Sequence, residues 1–241
     1  MSRALIIAHL YPDLLNLYAD RGNIQTLLQR LRWRGIEARV VSVKKGEPVR
    51  LHEYDFVLLG GGSDREQKLV AESLRQQKED WHHAMQAGLP ILAVCGGYQL
   101  LGSYYELANS EKVAGLELLE MTTQASNQRL IGNIAIESEW CGTVVGFENH
   151  AGRTVHHHTP LGKVVAGHGN NGRDGWEGVQ HHHVIGTYIH GPLLPKNPKL
   201  ADLLLLSALE YANMTVDFYD LDDELEWSAH HSEWSRWTKV K

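Results

Sequence analysis

The chain reads as an α/β protein, with an open, mostly parallel sheet and helices on both faces. Three observations predict this. Short apolar runs such as FVLLG (56–60) and ILAV (91–94) have the composition of strands covered on both faces. Segments of helical period separate those runs in the first half. The resulting order, β-α-β-β-α-β-α, is that of crossover-connected parallel strands.

Each element has its own signal. RALIIAH (3–9) is a short buried strand, and IQTLLQRLRW (24–33) has helical period and stops at Gly35. EARVVSV (37–43) alternates as a strand does. DREQKLVAESLRQQKEDWHHAMQAG (64–88) reads as one long amphipathic helix closed by Gly88, and YQLLGSYYEL (98–107) as another helix. The second half changes character. RLIGNIAI (129–136), GTVVGFEN (142–149), GKVVAG (162–167) and VIGTYIH (184–190) are short strands separated by Gly, Asn and His. PKLADLLLLSALEYA (198–212) is a final helix, and the tail 216–241 shows no clear period.

Composition narrows the function classes. With 241 residues, 43% of them hydrophobic, the chain can bury a large core. A net charge of −6 argues against general binding to nucleic acid or anionic membranes. Apolar runs such as LLLL (203–206) are far short of the ~20 residues that span a bilayer. His9 and Pro12 interrupt the N-terminal apolar stretch, so no signal peptide is expected and the expected location is cytoplasmic. Cys95 and Cys141 make no disulfide framework.

Cys95 stands between ILAV and YQLLG, at a strand's carboxyl end, where open α/β sheets collect reactive groups. A sharp strand-to-helix turn would expose its sulfur, and Gly96 and Gly97 would relieve the crowding. The helix behind favours thiolate, and the Gly96 N–H would face an oxyanion formed by thiolate attack. The alternative is a buried core cysteine beside a turn. FVLLGGGSDRE (56–66) ends in glycines, and Gly61 and Gly62 N–H groups are expected to complete the oxyanion hole. A phosphate loop is the competing reading, weakened because no Lys-Ser/Thr follows. Among 15 histidines, His190 is singled out as the base by its position at a strand end before Gly191 and Pro192. The HHH clusters (156–158, 181–183) lie in polar loops and supply no cysteine or carboxylate at ligand spacing, so no metal is expected.

These motifs together resemble class I glutamine amidotransferases, of flavodoxin-like fold, and within them the cobyric-acid-synthase-like branch. The runs LYPDLLNLYADRGNI (10–24), GFENHAGRT (146–154), GNNGRDGWEG (169–178) and HGPLLPKNP (190–198) are similar to the family of glutaminase subunits of lipid II isoglutaminyl synthase, the GatD family. The resemblance covers about residues 1–213 as one amidotransferase domain. It leaves 214–241 as an extension, packed on the core or at a partner interface. It implies that Cys95 attacks the side-chain amide of glutamine through a thioester and that His190 shuttles the proton. It also implies that Gln99 and Arg129 contact the substrate, Arg129 by pairing with the α-carboxylate. No P-loop or ligase-sized domain is present, so ATP and Mg are expected on a Mur-ligase-like partner (MurT type) in a heterodimer, and no cofactor in this chain. That partner would amidate the D-glutamate α-carboxyl of lipid II. A cobyrinate-type acceptor and a stand-alone cysteine–histidine hydrolase of the γ-glutamyl hydrolase type are the alternatives. Most of the class carries His-x-Glu, but Pro192 stands at that place here. The third triad carboxylate would come from Glu148, Asp174 or, as in the branch it resembles, the partner.

Overall fold

The computed structural model describes residues 3–16 and 20–238. Part of the 10–24 run, residues 17–19, and the last three residues of the tail lie outside the described residues. The elements are β1 (Leu5–Leu10), α1 (Asp20–Trp33), β2 (Ala38–Val43), β3 (Phe56–Leu59), α2 (Asp64–Arg75), α3 (Lys78–Gln86), β4 (Ile91–Val94), α4 (Gly96–Leu100), β5 (Tyr104–Glu106) and β6 (Lys112–Ala114). They continue with β7 (Met121–Ser138), β8 (Gly142–His156), β9 (Gly162–Ala166), β10 (Trp176–Glu177), β11 (Val179–His181), β12 (Val184–Thr187), α5 (Pro198–Tyr211) and α6 (Glu224–Thr238).

The main sheet has the order β11-β12-β4-β3-β1-β2. Its strands are parallel except β11, which pairs antiparallel with β12 at one edge. Read along the chain, the parallel strands run 2-1-3-4-5, the flavodoxin-like order. β3, β4 and β12 are buried at every residue, as their continuous apolar runs require. A second sheet, of order β10-β9-β7-β5-β6 with β8 on β7, is mostly antiparallel and was not foreseen. Residues 129–136 and 142–149 are parts of a long hairpin of β7 and β8, whose register shifts between Ala125 and Leu130.

Two predicted helices are corrected. The segment 64–88 breaks at Gln77, whose backbone (φ −117°, ψ 23°) leaves the helix and whose side chain donates to the Val49 carbonyl at 2.8 Å. Leu74 and the fully buried Trp81 stay two helical turns apart in sequence, so the apolar period runs through the break. The predicted 98–107 helix stops at Leu100. A Cβ at Gly102 would lie 2.7 Å from the Met121 carbonyl, and the chain passes into β5.

The tail packs on the domain. Buried Arg30 holds Asp202 through Nε at 2.6 Å and Asp223 through Nη1 at 2.7 Å, both bidentate contacts. Arg34 adds Asp202, the Tyr219 carbonyl and the Phe218 ring. On α6, buried His230 donates from Nδ1 to the Lys196 carbonyl and meets the Thr143 hydroxyl through Nε2, both at 2.8 Å. No helix among the described residues is long and apolar enough to cross a membrane.

Candidate active site

Cys95 has φ 51° and ψ −104°, a conformation that L-residues avoid. The strain belongs to a one-residue turn from β4 into α4. Its N–H donates to the Thr187 carbonyl at 2.8 Å, tying the turn to β12. Gly97 permits the rest: its N–H donates to the Gly60 carbonyl at 3.0 Å, and a Cβ there would strike the Leu59 carbonyl oxygen. α4 spans five residues, so its dipole at the sulfur is weaker than a full helix would give.

The Cys95 side chain, though 4% exposed, lines a cavity of about 340 Å³. Gly62, Gln67, Gln99, Tyr105, Arg129, Asn149 and His150 line it too. Gly61, Gly96 and His190 are not in its wall. The Gly61 N–H goes to Asp20 Oδ2 at 3.2 Å. Arg129 is fixed at the rim by Nε to Asn149 Oδ1 (2.8 Å) and Nη2 to the Asn149 carbonyl (2.9 Å). Gln99 donates to the Tyr188 hydroxyl at 3.2 Å, and that hydroxyl meets Thr154 Oγ1 at 2.6 Å. The Oε1 atoms of Gln99 and Gln67 are buried without a hydrogen-bond partner among the described residues.

His190 follows β12, the parallel neighbour of β4, so it leaves the sheet at the same carboxyl edge as Cys95. It exchanges backbone hydrogen bonds with Phe147, N to O at 2.9 Å and O to N at 3.2 Å, and its ring meets the Phe147 ring edge-on. Burial, then the neighbouring His150 and Arg129, lower its imidazole to about 4. It is therefore neutral at pH 7.

Of the two carboxylates named from the sequence, Glu148 accepts from the His168 and Gly169 N–H groups at 2.6 and 3.0 Å and stands 3.6 Å from His150 Nε2. Asp174 accepts from Asn171 and the Trp176 N–H in a loop away from the cavity. His150, which the GFENH run sets two residues beyond Glu148 as a residue of the site or of a strand end, lies flat on Tyr188 with centroids 3.6 Å apart and directs Nδ1 to the Gly152 carbonyl. Gln67 and Tyr105 were missed from the sequence. The Ser-x-x-Glu box at Ser63 and Glu66 marks α2 as the helix that brings Gln67 in, whereas nothing local marks Tyr105. The histidine clusters pack ring on ring, with His158 and His181 centroids 4.6 Å apart. No group of three or more His, Cys, Asp or Glu among the described residues could hold a metal ion.

Residues 6–198 match the CobB/CobQ-like glutamine amidotransferase domain. The chain is 43% identical to "Lipid II isoglutaminyl synthase (glutamine-hydrolyzing) subunit GatD" of Staphylococcus aureus (strain N315), over 93% of each chain. It is 41% identical to the protein of that description from Streptococcus pneumoniae (strain ATCC BAA-255 / R6), over 86% of this chain and 81% of the relative. A crystal structure of a glutamine amidotransferase superposes with a TM-score of 0.54 at 19% identity, covering 85% of this chain and 99% of that one, a likeness of fold. The chain belongs to the CobB/CobQ-like glutamine amidotransferase family.

Proposed function

We propose that this amidotransferase-family chain hydrolyses L-glutamine through a Cys95 thioester and passes the ammonia to a Mur-ligase-like partner, which amidates the D-glutamate α-carboxyl of lipid II. The observation that carries the reaction is the strained elbow: Cys95, held at positive φ, lines a small cavity at the carboxyl edge of the sheet, the edge at which His190 leaves the neighbouring strand. The acceptor rests on the likeness to the two GatD subunits.

Cys95 Sγ attacks the carboxamide carbon while His190, neutral at pH 7, takes the thiol proton. The developing oxyanion is received by backbone N–H groups of Gly62 and Gly96. Gly61 joins them only if it releases Asp20. His190 returns the proton to the leaving nitrogen, ammonia departs, and water cleaves the thioester to glutamate and free thiol. Arg129 pairs with the substrate α-carboxylate. The unsatisfied Oε1 atoms of Gln99 and Gln67 offer acceptors for its ammonium or carboxamide hydrogens. A cavity of about 340 Å³ is at the low end of ligand sites, suited to an amino acid.

The carboxylate that orients His190 is supplied by the partner. The support is that Glu148 and Asp174 are engaged with other groups. ATP and Mg belong to the partner as well, where the acceptor carboxylate is activated. The test measures ammonia release by the chain alone and with its co-purifying partner, and labelling of Cys95 by a glutamine-mimicking diazo ketone. The expected result is stoichiometric label on Cys95 and glutaminase activity at least ~10-fold higher with the partner. An unlabelled Cys95 with partner present overturns the reaction, and equal rates overturn the partner's carboxylate.

A further inference from the structure

β12 ends at Thr187, three residues before His190, and the intervening chain is buried: Tyr188 and Ile189 are fully excluded from solvent. Backbone N–H groups there lie beyond the paired residues of β12 and need acceptors outside the main sheet's ladder. Each has one. The Tyr188 N–H donates to Glu177 Oε1 at 2.8 Å, the Ile189 N–H to Thr187 Oγ1 at 2.9 Å, and the His190 N–H to the Phe147 carbonyl at 2.9 Å. The Thr187 hydroxyl in turn donates to Glu177 Oε1 at 2.5 Å. Thr187 also accepts the Cys95 N–H through its own carbonyl.

Glu177 reaches this place because Gly178 turns at φ +63°, directly against β12. A Cβ on Gly178 would lie 2.6 Å from the Gly186 carbonyl. The carboxyl is fully buried, and its Oε2 has no hydrogen-bond partner among the described residues. A half-satisfied buried carboxyl costs stability. Among the described residues its side-chain hydrogen bonds go to Thr187 and Tyr188, in the segment that leads to His190.

We propose that Glu177 is a positioning residue for glutamine hydrolysis: through Thr187 and Tyr188 it fixes the backbone carrying His190 against the turn carrying Cys95. The proposal rests on the roles given above to Cys95 and His190. Glu177 touches neither substrate nor sulfur. It sets the separation of two groups that leave adjacent strands, where a misplacement of about 1 Å can cost ~100-fold in rate.

The test uses the chain with its co-purifying partner and reads kcat and KM for glutamine separately. Glu177→Ala and Thr187→Val remove the shared acceptor and the shared hydroxyl, and each is expected to lower kcat about 10- to 100-fold with KM changed less than about 3-fold. Glu177→Gln and Thr187→Ser keep an acceptor and a hydroxyl and are expected to retain kcat within about 3-fold. If Glu177→Ala does not fold, the Thr187 pair alone decides. A kcat in Thr187→Val within about 2-fold of the native value overturns the proposal, as does an equal loss in Thr187→Ser. Cys95→Ser serves as the separate control: activity surviving in it sinks the thioester reading, whereas a dead Cys95→Ser with an active Thr187→Val sinks only the positioning role.

Discussion

The catalytic edge and the C-terminal tail are attached to one domain by opposite means. At the edge, Cys95 and His190 are placed by main-chain hydrogen bonds, a residue at φ 51° and glycines that allow backbones to touch. The tail, residues 214–241, is fastened by charge: Arg30 of α1 clasps Asp223 of the tail together with Asp202 of α5. The difference teaches that atoms whose position must be right to a fraction of an ångström are set by backbone geometry, which has few soft degrees of freedom. Attachment tolerates long side chains, whose reach absorbs small errors.

The sharpest way to test that contrast is Cys95→Gly. It removes the nucleophile and the strain together. Glutaminase is expected to fall by at least ~1,000-fold, while stability rises by about 1 kcal/mol because glycine accepts positive φ. A chemical melt of both proteins checks it; a destabilised glycine variant would show that the elbow stores no strain.

Arg30→Met should act the other way. Removing the cation leaves Asp223, 13% exposed, without its partner and Asp202, 20% exposed, with Arg34 alone. The expected loss is about 3–5 kcal/mol in urea unfolding, with kcat unchanged within ~2-fold well below the melting temperature. A fall in kcat under those conditions would mean that the tail clamp reaches the catalytic edge and the two regions are not independent.

A third test titrates the edge itself. Burial lowers both His9 and His190 to about 4, below the unfolded value of 6.5. The unfolded chain therefore binds more protons between those values. The stability is present above pH 6.5 and is lost as pH falls toward 4, on the order of 3 kcal/mol per histidine. Unfolding free energies at pH 7 and pH 4.5 measure it, and His190→Gln should abolish its own share of the slope. Over pH 5–8 the His190 imidazole stays neutral, so it should put no break in the rate profile there. A break near 6.5 that disappears in His190→Gln would refute the burial argument.

Much of the edge was legible because its signals are local. ILAV ends where β4 ends, and Cys-Gly-Gly states the turn outright. VIGTYIHGP announces a buried strand with a histidine beyond it, and the structure sets that strand beside β4. The break at Gln77 was hidden because apolar spacing continues across it. The β7–β8 hairpin was hidden because SNQR interrupts the strand pattern at the very place where the register shifts. Glu177 sat in a run noted for its glycines, yet its partner Thr187 is known only once β11 folds onto β12. Arg30 and Asp223 lie far apart in the chain, and no pattern within either segment joins them.

By itself, then, the sequence determined the strands of the parallel sheet, the cysteine elbow and the histidine that ends a neighbouring strand. Those depend on period, burial and turn chemistry within a dozen residues. Tertiary structure alone decided which donors and acceptors meet: Arg129 on Asn149, Glu177 on the chain before His190, Arg30 on the tail. Hydrogen bonds and ion pairs act over about 3 Å, and only the folded chain brings such distant residues within that reach.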